Sequence, residues 1–224
     1  MKNIPAYYEQ LASQYDQSRF GNSYGQFLHA QERPTLQHFL HRYPPEHTLD
    51  LACGTGRMLD LAGTGLDISP NMLAEARKKH PDRHIVQGDA TSMPFPDASF
   101  DAVFSLHFIM HLDPAQTMAV LNEAHRVLRP GGCLILDFPS LKRRKLTGGH
   151  HDANWHGSNA FSLDQWRAMA GDDWEIDAAS GLLFLPVHRL PVWLRPAFLP
   201  FDRLFCRSFC KEWASYLLIR LNKK

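Results

Sequence analysis

The sequence predicts an α/β protein whose open, mostly parallel sheet is covered by helices on both faces. Three observations favour this class: short apolar runs alternate with stretches of helical spacing, several of those runs end in a carboxylate, and the first ends in a glycine-rich turn. The chain has 224 residues, of which 44% are hydrophobic, which suffices for a substantial core. We therefore expect residues 1–224 to form a single domain.

The first predicted strand lies near residues 48–51 and leads into the segment LDLACGTGR. Gly54 and Gly56 permit a tight turn and leave space for a ligand lying across the backbone. Apolar residues at helical spacing follow, so we expect a helix whose first N–H groups face an electron-rich ligand atom. A two-glycine turn can also be a plain strand–helix connection, so its surroundings must decide.

The second predicted strand ends at Asp67, and Ser69 and Pro70 are suited to begin a helix over residues 71–79. In nucleotide-binding α/β units, a carboxylate at the tip of the second strand accepts hydrogen bonds from ribose hydroxyls. Asp67 is predicted to do so here. The alternative is that its charge only complements the dipole of the helix that follows.

Further apolar runs predict three more strands. The third ends near Asp89, and the fourth is apolar enough to be buried on both faces. Asp113 and Pro114 begin the helix that separates the fourth strand from the fifth, and the segment RPGG ends that helix. The three runs span residues 83–90, 100–106 and 133–138.

Four segments, in this order, resemble the class I S-adenosylmethionine-dependent methyltransferases: LDLACGTGR, GLDISPNML, QGDA with MPFPDASFDAVFS, and LNEAHRVLRPGG. The resemblance covers about residues 45–138. It implies a Rossmann-like, doubly wound sheet of seven strands in the order 3-2-1-4-5-7-6, with strand 7 antiparallel. It also implies the cofactor S-adenosyl-L-methionine and a small-molecule or lipid-like acceptor methylated at oxygen or carbon.

The same resemblance implies roles for residues at the carboxyl ends of the strands. The glycine loop borders the methionine part of the cofactor, and Asp67 takes the ribose hydroxyls. Asp89 accepts from the adenine amino group, the N–H of Ala90 donates to the ring, and Ser105 lines the methyl side. Because only ten residues separate Gly56 from Asp67, the intervening helix is expected to be short. The implied cofactor-binding set is Asp50, Ala52, Cys53, Gly54, Gly56, Asp67, Ile68, Asp89, Ala90 and Ser105.

Residues 1–45 are predicted to form a helical cap, interrupted at residues 19–25 and continued by a helix over residues 30–42. The resemblance implies that such a segment covers the cofactor with an aromatic side chain near the sulfonium. Tyr7, Tyr15 and Arg19 are the candidates. A helix that merely packs on the domain is the alternative.

His107 and His111 follow the fourth strand, close to where the transferred methyl would point. Either is a candidate general base for a hydroxyl acceptor, although histidines at such positions also serve packing and hydrogen bonding. Histidines also occur at positions 150, 151 and 156, but their spacing is poor for a metal site. We expect no metal and expect that loop to border the acceptor.

Residues 46–140 are predicted to form the cofactor-binding half and residues 141–224 the acceptor-side half. The second half is expected to contain a helix over residues 163–170, strands over 174–179 and 213–221, and an insertion at about 184–211. The insertion mixes aromatic residues, prolines and cations, and no long helix is expected in it. It could be a lid over an apolar acceptor, a membrane contact, or packing within the domain or a dimer.

Charge and hydropathy exclude several classes of partner. The formal net charge of +1 predicts no nucleic-acid partner, and no apolar run approaches the ~18 residues of a membrane span. The first residues lack an apolar secretion segment, so a cytoplasmic location is expected, as a monomer or homodimer. Two alternatives to an active methyltransferase stay open. One is a cofactor-binding regulatory protein without turnover, and the less favoured one is a nicotinamide-dependent dehydrogenase.

Overall fold

A computed structural model describes residues 4–148 and 159–224 of the chain. Their strands form one sheet in the order β3-β2-β1-β4-β5-β7-β6, in which β7 is antiparallel to both neighbours and the other pairs are parallel. The predicted fold class and strand order are confirmed. The strands are β1 (Thr48–Leu51), β2 (Thr64–Asp67), β3 (His84–Gln87), β4 (Phe100–Ser105), β5 (Leu128–Pro139), β6 (Trp174–Leu182) and β7 (Tyr216–Lys223).

Several helices begin where the sequence offers a capping side chain. Asn22 accepts hydrogen bonds from two backbone N–H groups and so begins a long helix several residues earlier than expected. Ser69, Asp113 and Ser162 cap three more, the last two as capping boxes. The α-helices are α1 (Ile4–Leu11), α2 (Tyr15–Phe20), α3 (Ser23–Leu40), α4 (Pro70–Lys79), α5 (Pro114–Val127), α6 (Leu141–Leu146), α7 (Leu163–Ala170) and α8 (Arg195–Arg207).

The prediction of an α-helix directly after the glycine loop is wrong. The chain forms only a 3-10 turn, Leu59–Leu61, and Ala62 is already extended. The N–H of Gly63 donates to the carbonyl of Pro45 at 2.5 Å, which draws the chain back toward the start of β2. The loop is therefore held by the sheet and not by a helix N-terminus.

The expectation that the insertion lacks a long helix is also wrong, because the 13-residue α8 lies within it. Pro196 occupies the first turn, where a missing N–H costs nothing, and Pro200 removes one bond from the helix interior. Other differences are shifts of boundaries. β5 begins at Leu128, β6 continues to Leu182, and a 3-10 segment (Phe209–Trp213) precedes β7.

Two clusters of buried apolar side chains cover the two faces of the sheet. Successive residues of one strand alternate between them, so that Leu134 belongs to one cluster and Ile135 to the other. Each cluster combines side chains from the predicted cofactor-binding half with side chains from the acceptor-side half. Among the described residues, no helix is both long and apolar enough to cross a bilayer.

Candidate cofactor and acceptor site

The loop after β1 contains three residues in the left-handed region. Ala52 has φ 58°, Gly54 has φ 54° and Gly56 has φ 77°. Glycine takes such angles at little cost, whereas alanine does so only when its surroundings hold it. The N–H of Cys53 donates to the carbonyl of Leu66 at 3.0 Å, which fixes the loop against β2. The bend thus presents bare backbone at the carboxyl end of the sheet.

A cavity lies between this loop and the residues that follow β4. It brings the predicted loop residues together with Tyr15 of the N-terminal cap and with His107. Asp50 is buried at its base, and burial raises the pKa of that carboxyl group well above its usual range. The lining residues are Tyr15, Asp50, Ala52, Cys53, Gly54, Thr55, Arg57, Met58, Phe104, Leu106 and His107.

Asp67 lies at the edge of the loop, where β2 ends. One carboxylate oxygen accepts from the N–H of Gly54 at 2.8 Å and the other from the N–H of Ser69 at 2.9 Å. Burial raises the pKa of Asp67, while these N–H groups act in the opposite direction. Asp67 therefore connects the glycine loop with the start of α4, a position compatible with both roles considered for it.

The residues predicted to hold the adenine lie farther along the same edge. Asp89 is exposed, and one of its oxygens accepts from both the N–H and the hydroxyl of Thr91 at 2.8 Å. Ala90 is buried, and the side chain of Ile68 is 48% exposed beyond the end of β2. Ser105 is buried, and its hydroxyl donates to the carbonyl of Leu51 at 2.7 Å, so that this side chain joins β4 to β1.

A buried charge network borders the cavity. The Nε2 atom of His107 lies 2.5 Å from a carboxylate oxygen of Glu32 on α3, and its Nδ1 lies 3.4 Å from one of Asp137 on β5. The backbone N–H of His107, a residue with φ 58°, also donates to Asp137 at 2.6 Å. Arg57 of the loop contacts Glu32 at 2.9 Å. We call these four residues the Glu32 network.

Mutual attraction sets the charge state of this network. Burial opposes a charged His107, but the carboxylates of Glu32 and Asp137 outweigh it and raise the pKa of the imidazole. Burial also opposes ionised Glu32, yet His107 and Arg57 hold the pKa of that carboxyl group well below its usual range. Burial raises the pKa of Asp137, partly offset by His107. The geometry is that of an imidazole ring with a carboxyl group facing each of its nitrogens.

Glu32, His107 and Asp137 are also near enough to one another to share a metal ion, as one candidate set among the described residues. A metal would need one imidazole nitrogen to be free of its proton. Here each ring nitrogen faces a different carboxylate, and the guanidinium of Arg57 adds positive charge. Attraction between the imidazole ring and the two carboxyl groups therefore accounts for the arrangement. The histidines at positions 150, 151 and 156 lie outside the described residues.

The N-terminal cap contacts the glycine loop and the segment that follows β4. Asp16 accepts from the hydroxyl of Thr55 at 2.6 Å and pairs with Lys79 of α4. The hydroxyl of Tyr8 lies 3.0 Å from Nε2 of His111, and Arg19 donates to the hydroxyl of Tyr7 at 3.2 Å. Tyr15 alone of the predicted cap residues lines the cavity, whereas Tyr7 and Arg19 pair with each other beside it.

Aromatic rings cluster around His107, and we call them the aromatic wall. The rings of Phe20 and Tyr216 lie 6.1 and 6.0 Å from that of His107, and Tyr15 packs against Phe20 at 6.0 Å. The guanidinium of Arg57 lies 3.9 Å above the ring of Phe20. The sequence pattern indicates no role for Glu32, Arg57, Asp137 or Tyr216. An acid within the apolar run of β5 was a usable signal for Asp137, but nothing local marks Glu32.

The seven-stranded order, with the left-handed glycine loop at the switch between β1 and β4, is that of the Rossmann-like methyltransferase fold. Residues 49–136 match the family described as Methyltransferase domain. A possible histamine N-methyltransferase from Thermotoga maritima has a similar structure, with a TM-score of 0.69 and 22% identity, over 97% of this chain and 98% of that one.

Two curated relatives are more similar in sequence over shorter stretches. A demethylmenaquinone methyltransferase from Beutenbergia cavernae is 46% identical over 99 residues, which is 42% of this chain and 40% of the relative. A ubiquinone/menaquinone biosynthesis C-methyltransferase from a Ruegeria species is 34% identical over 153 residues, 62% of this chain and 60% of the relative. In both cases the chain spans less than two thirds of the relative's length.

Proposed function

We propose that this chain binds S-adenosyl-L-methionine across the 52–56 loop and transfers its methyl group to a small-molecule acceptor. The observation that carries the proposal is the cavity lined by the left-handed loop and His107, with Asp67 hydrogen-bonded to Gly54 of that loop. A Cβ atom built on Gly54 meets nothing within 4 Å, so the bare backbone of that residue borders open space. These residues fit the elongated cofactor, with its methionine part over the loop and its ribose at Asp67.

Each acidic residue has a distinct task in this proposal. Asp50, at the base of the cavity, attracts the ammonium of the methionine part, and the approaching cation favours its ionised form. Asp67 accepts the ribose hydroxyls while it keeps the Gly54 N–H in place. Asp89 and the Ala90 N–H recognise the adenine, and the exposed Ile68 provides an apolar surface for it. When bound, the cofactor supplies a methyl group attached to positively charged sulfur, whose departure as a neutral thioether needs no acid.

The wall formed by Tyr15, Phe20 and Tyr216 supports a planar, lipid-like acceptor. The names of the two curated relatives refer to demethylmenaquinone and to ubiquinone/menaquinone biosynthesis, which agrees with a lipophilic ring as acceptor. Methyl transfer to a ring carbon or a ring hydroxyl releases a proton in either case. Close positioning of the acceptor and exclusion of water supply much of the acceleration.

For proton removal we favour His111 over His107. Both ring nitrogens of His107 face carboxyl groups, which raise the pKa of the ring, so neither nitrogen is placed to take a proton from an acceptor. Nε2 of His111 shares a hydrogen bond with the hydroxyl of Tyr8, whose ring lies 5.8 Å from that of Tyr15 on the cavity wall. In this proposal His107 positions the aromatic wall and adds positive charge beside the acceptor.

The test is equilibrium binding of S-adenosylhomocysteine and of NAD, followed by mass spectrometry of metabolite pools incubated with methyl-deuterated cofactor. We expect binding of the thioether, no measurable binding of NAD, and a gain of one labelled methyl group by a lipophilic ring compound. Asp67→Ala should weaken thioether binding by about 1 to 3 kcal/mol, because the ribose hydroxyls lose a charged acceptor. Asp97→Ala, at an exposed ion pair with Arg126, is the control.

Two outcomes contradict the proposal at different points. Tight binding of NAD without binding of the thioether rejects the cofactor and favours a dehydrogenase. Thioether binding without transfer to any pool, including demethylated isoprenoid quinones, rejects catalysis and favours a regulatory role. The position of the label, on carbon or on oxygen, then decides between the two kinds of transfer.

A further inference from the structure

Most of the large apolar side chains that are exposed in the described part of the chain lie between β6 and β7. Of ten large hydrophobic residues that are exposed there, seven lie between residues 192 and 213. Trp193 is 79% exposed and Phe209 is 88% exposed. We call the seven the 192–213 surface: Val192, Trp193, Phe201, Leu204, Phe205, Phe209 and Trp213. Clustered exposure of this kind is typical of an interaction surface.

The helix α8 buries an acidic residue and exposes several apolar ones. Asp202 is fully buried and accepts from Gln31 at 2.6 Å and from the N–H of Leu185 at 2.5 Å, and Cys206 is buried one turn later. Phe201, Leu204 and Phe205, spaced three and four residues apart, lie on the opposite face and are exposed. A helix on an ordinary solvated surface has the reverse arrangement. Because the inward face is fixed by hydrogen bonds, the apolar face cannot be buried by rolling the helix.

The exposed charged residues of this segment are cations. Residues 184–213 contain five lysine and arginine residues and two acids. Both acids are engaged, Asp202 in the interior and Glu212 in an ion pair with Lys142 at 2.7 Å. Arg189 and Arg207 are exposed beside the apolar side chains. The surface therefore offers aromatic rings and uncompensated cations, the combination that anionic bilayer surfaces attract.

One end of the surface lies close in sequence to the aromatic wall. Trp213 ends the 3-10 segment that leads into β7, and its carbonyl accepts from Arg143 of α6 at 3.3 Å. Three residues later Tyr216 reaches the ring of His107. A molecule held in a lipid layer at the 192–213 surface would thus be near the aromatic wall.

We propose that the 192–213 surface docks on an anionic phospholipid membrane. Trp193, Phe201 and Leu204 insert at the boundary between head groups and acyl chains, and Arg189 and Arg207 face the lipid phosphates. A second copy of the chain fits less well, because a symmetric contact would bring these arginines against one another. The docking itself does not depend on the proposed methyl transfer, although it provides a route for a lipid-like acceptor.

The experiment is flotation of the full chain with vesicles of phosphatidylcholine alone or mixed with an equal amount of phosphatidylglycerol. We expect binding to the mixed vesicles at low salt, and weaker binding at 0.5 M salt because ions screen the arginines. The double variant Phe201→Ser/Leu204→Ser should lower the bound fraction about tenfold or more, because it removes apolar area that enters the bilayer. Arg189→Gln/Arg207→Gln should lower binding to mixed vesicles and abolish its salt dependence.

The matched control is Met118→Ser. Met118 is also an exposed apolar residue, but it lies on α5, which covers the opposite face of the sheet. The Met118→Ser variant should bind vesicles as well as the parent chain does. Unchanged circular dichroism and unchanged thioether affinity in every variant separate this test from the proposed function.

The proposal is overturned if the parent chain does not float with mixed vesicles, or if the serine variant floats as well as the parent. Light scattering identifies the alternative occupant. A dimer that the serine variant dissociates, without vesicle binding by the parent, would assign the 192–213 surface to contact between copies of the chain.

Discussion

His111 and His107 lie four residues apart, yet their surroundings prepare them for different tasks. His107 is held between two carboxylates, whereas His111 is hydrogen-bonded to the hydroxyl of Tyr8, a neutral partner. Burial raises the pKa of Tyr8 far above its usual range, so that this partner keeps its proton. An imidazole hydrogen-bonded to a phenol can take a proton from an acceptor more readily than one whose two nitrogens both face carboxyl groups.

His111→Gln should therefore lower kcat by about 10²- to 10⁴-fold, the usual contribution of a general base. Affinity for S-adenosylhomocysteine should stay unchanged, and the rise of kcat with pH near the histidine pKa should disappear. Single-turnover rates measured between pH 5.5 and 8.5 test this. Tyr8→Phe, which removes only the hydrogen bond, should have a smaller effect. A His111→Gln enzyme with the parent rate would mean that acceptor deprotonation does not involve this residue.

The Glu32 network makes stability depend on pH in both directions. The pKa of His107 is raised on folding, so its contribution is complete below about pH 6.5 and is lost as pH rises through its folded pKa. The pKa of Glu32 is lowered, so its contribution is present above about pH 4.3 and is lost as pH falls through its folded pKa. These two residues are most stabilising between those limits.

Glu32→Gln should lower the free energy of unfolding by about 3 kcal/mol at pH 6, because it leaves buried charges on His107 and Arg57 without their shared partner. The deficit should shrink as the pH rises and the parent loses its imidazolium. Urea unfolding of parent and variant from pH 5 to 9 measures it. Glu75→Gln, which breaks an exposed ion pair with Lys78, should have little effect at any pH. An equal deficit at pH 6 and pH 9 would contradict a charged His107.

At the scale of elements, two glycines allow the cost of a left-handed backbone to be measured separately from contact with the proposed ligand. Gly54 and Gly131 have φ values of 54° and 76°, and a Cβ atom on either meets nothing within 4 Å. An alanine at either position therefore costs the free energy of a left-handed backbone but meets no steric clash. Gly131 lies in β5 near its start, whereas Gly54 borders the cavity. The two positions are matched in strain and differ in their proximity to the proposed cofactor.

Gly54→Ala and Gly131→Ala should each cost about 1 kcal/mol of stability, the penalty for a left-handed alanine. Only Gly54→Ala should also weaken binding of S-adenosylhomocysteine, by tenfold or more, because its Cβ occupies space at the loop surface. Urea unfolding and calorimetric titration measure the two effects. If both variants bind the thioether like the parent, the ligand does not lie against Gly54.

The elements that the sequence predicted are those with local signals. The glycine turn, the Asp67 strand end and the capped start of α5 each depend on neighbouring residues, and they are present. The helix expected after Gly56 is absent because Gly63 bonds to Pro45, a partner distant in sequence. α8 was overlooked because its prolines suggested a broken chain, whereas the buried Asp202 anchors it. Such anchors depend on the complete fold.

The residues of the site could likewise be predicted only where the sequence carries a local signal. The loop residues and His107 could be placed at one sheet edge because parallel strands end there. Glu32, on α3, meets His107 only because the N-terminal cap folds back over the sheet. No spacing in the sequence brings residues 32, 107 and 137 together, and so the charge state of His107 could not be predicted.

At the scale of the whole molecule, the two predicted halves share one sheet. β7 lies between β5 and β6, so the last strand of the chain pairs with the fifth along its length. Both apolar clusters also combine side chains from the two halves. Separation of the halves would expose β5 and break both clusters. We therefore expect residues 1–224 to unfold as one cooperative unit.

The tryptophans make this expectation testable, since all five lie in the acceptor-side half. Trp166 and Trp174 are buried and report its unfolding, whereas the proposed cofactor residues lie in the other half. In a cooperative molecule, S-adenosylhomocysteine at one hundred times its dissociation constant should stabilise the tryptophan transition by about 2.7 kcal/mol. Urea titrations followed by fluorescence, with and without ligand, measure this shift.

Gly54→Ala is the control for this experiment. This variant should also unfold in one transition, but the same ligand concentration should stabilise it less because the variant binds the thioether more weakly. Hydrogen exchange of β1 to β4 provides the comparison for the half without tryptophan. If the ligand protects those strands while the fluorescence transition stays in place, the halves unfold separately. Ligand binding would then stabilise only the half that contains the loop. The pairing of β7 with β5 and β6 would not couple that half to the aromatic wall.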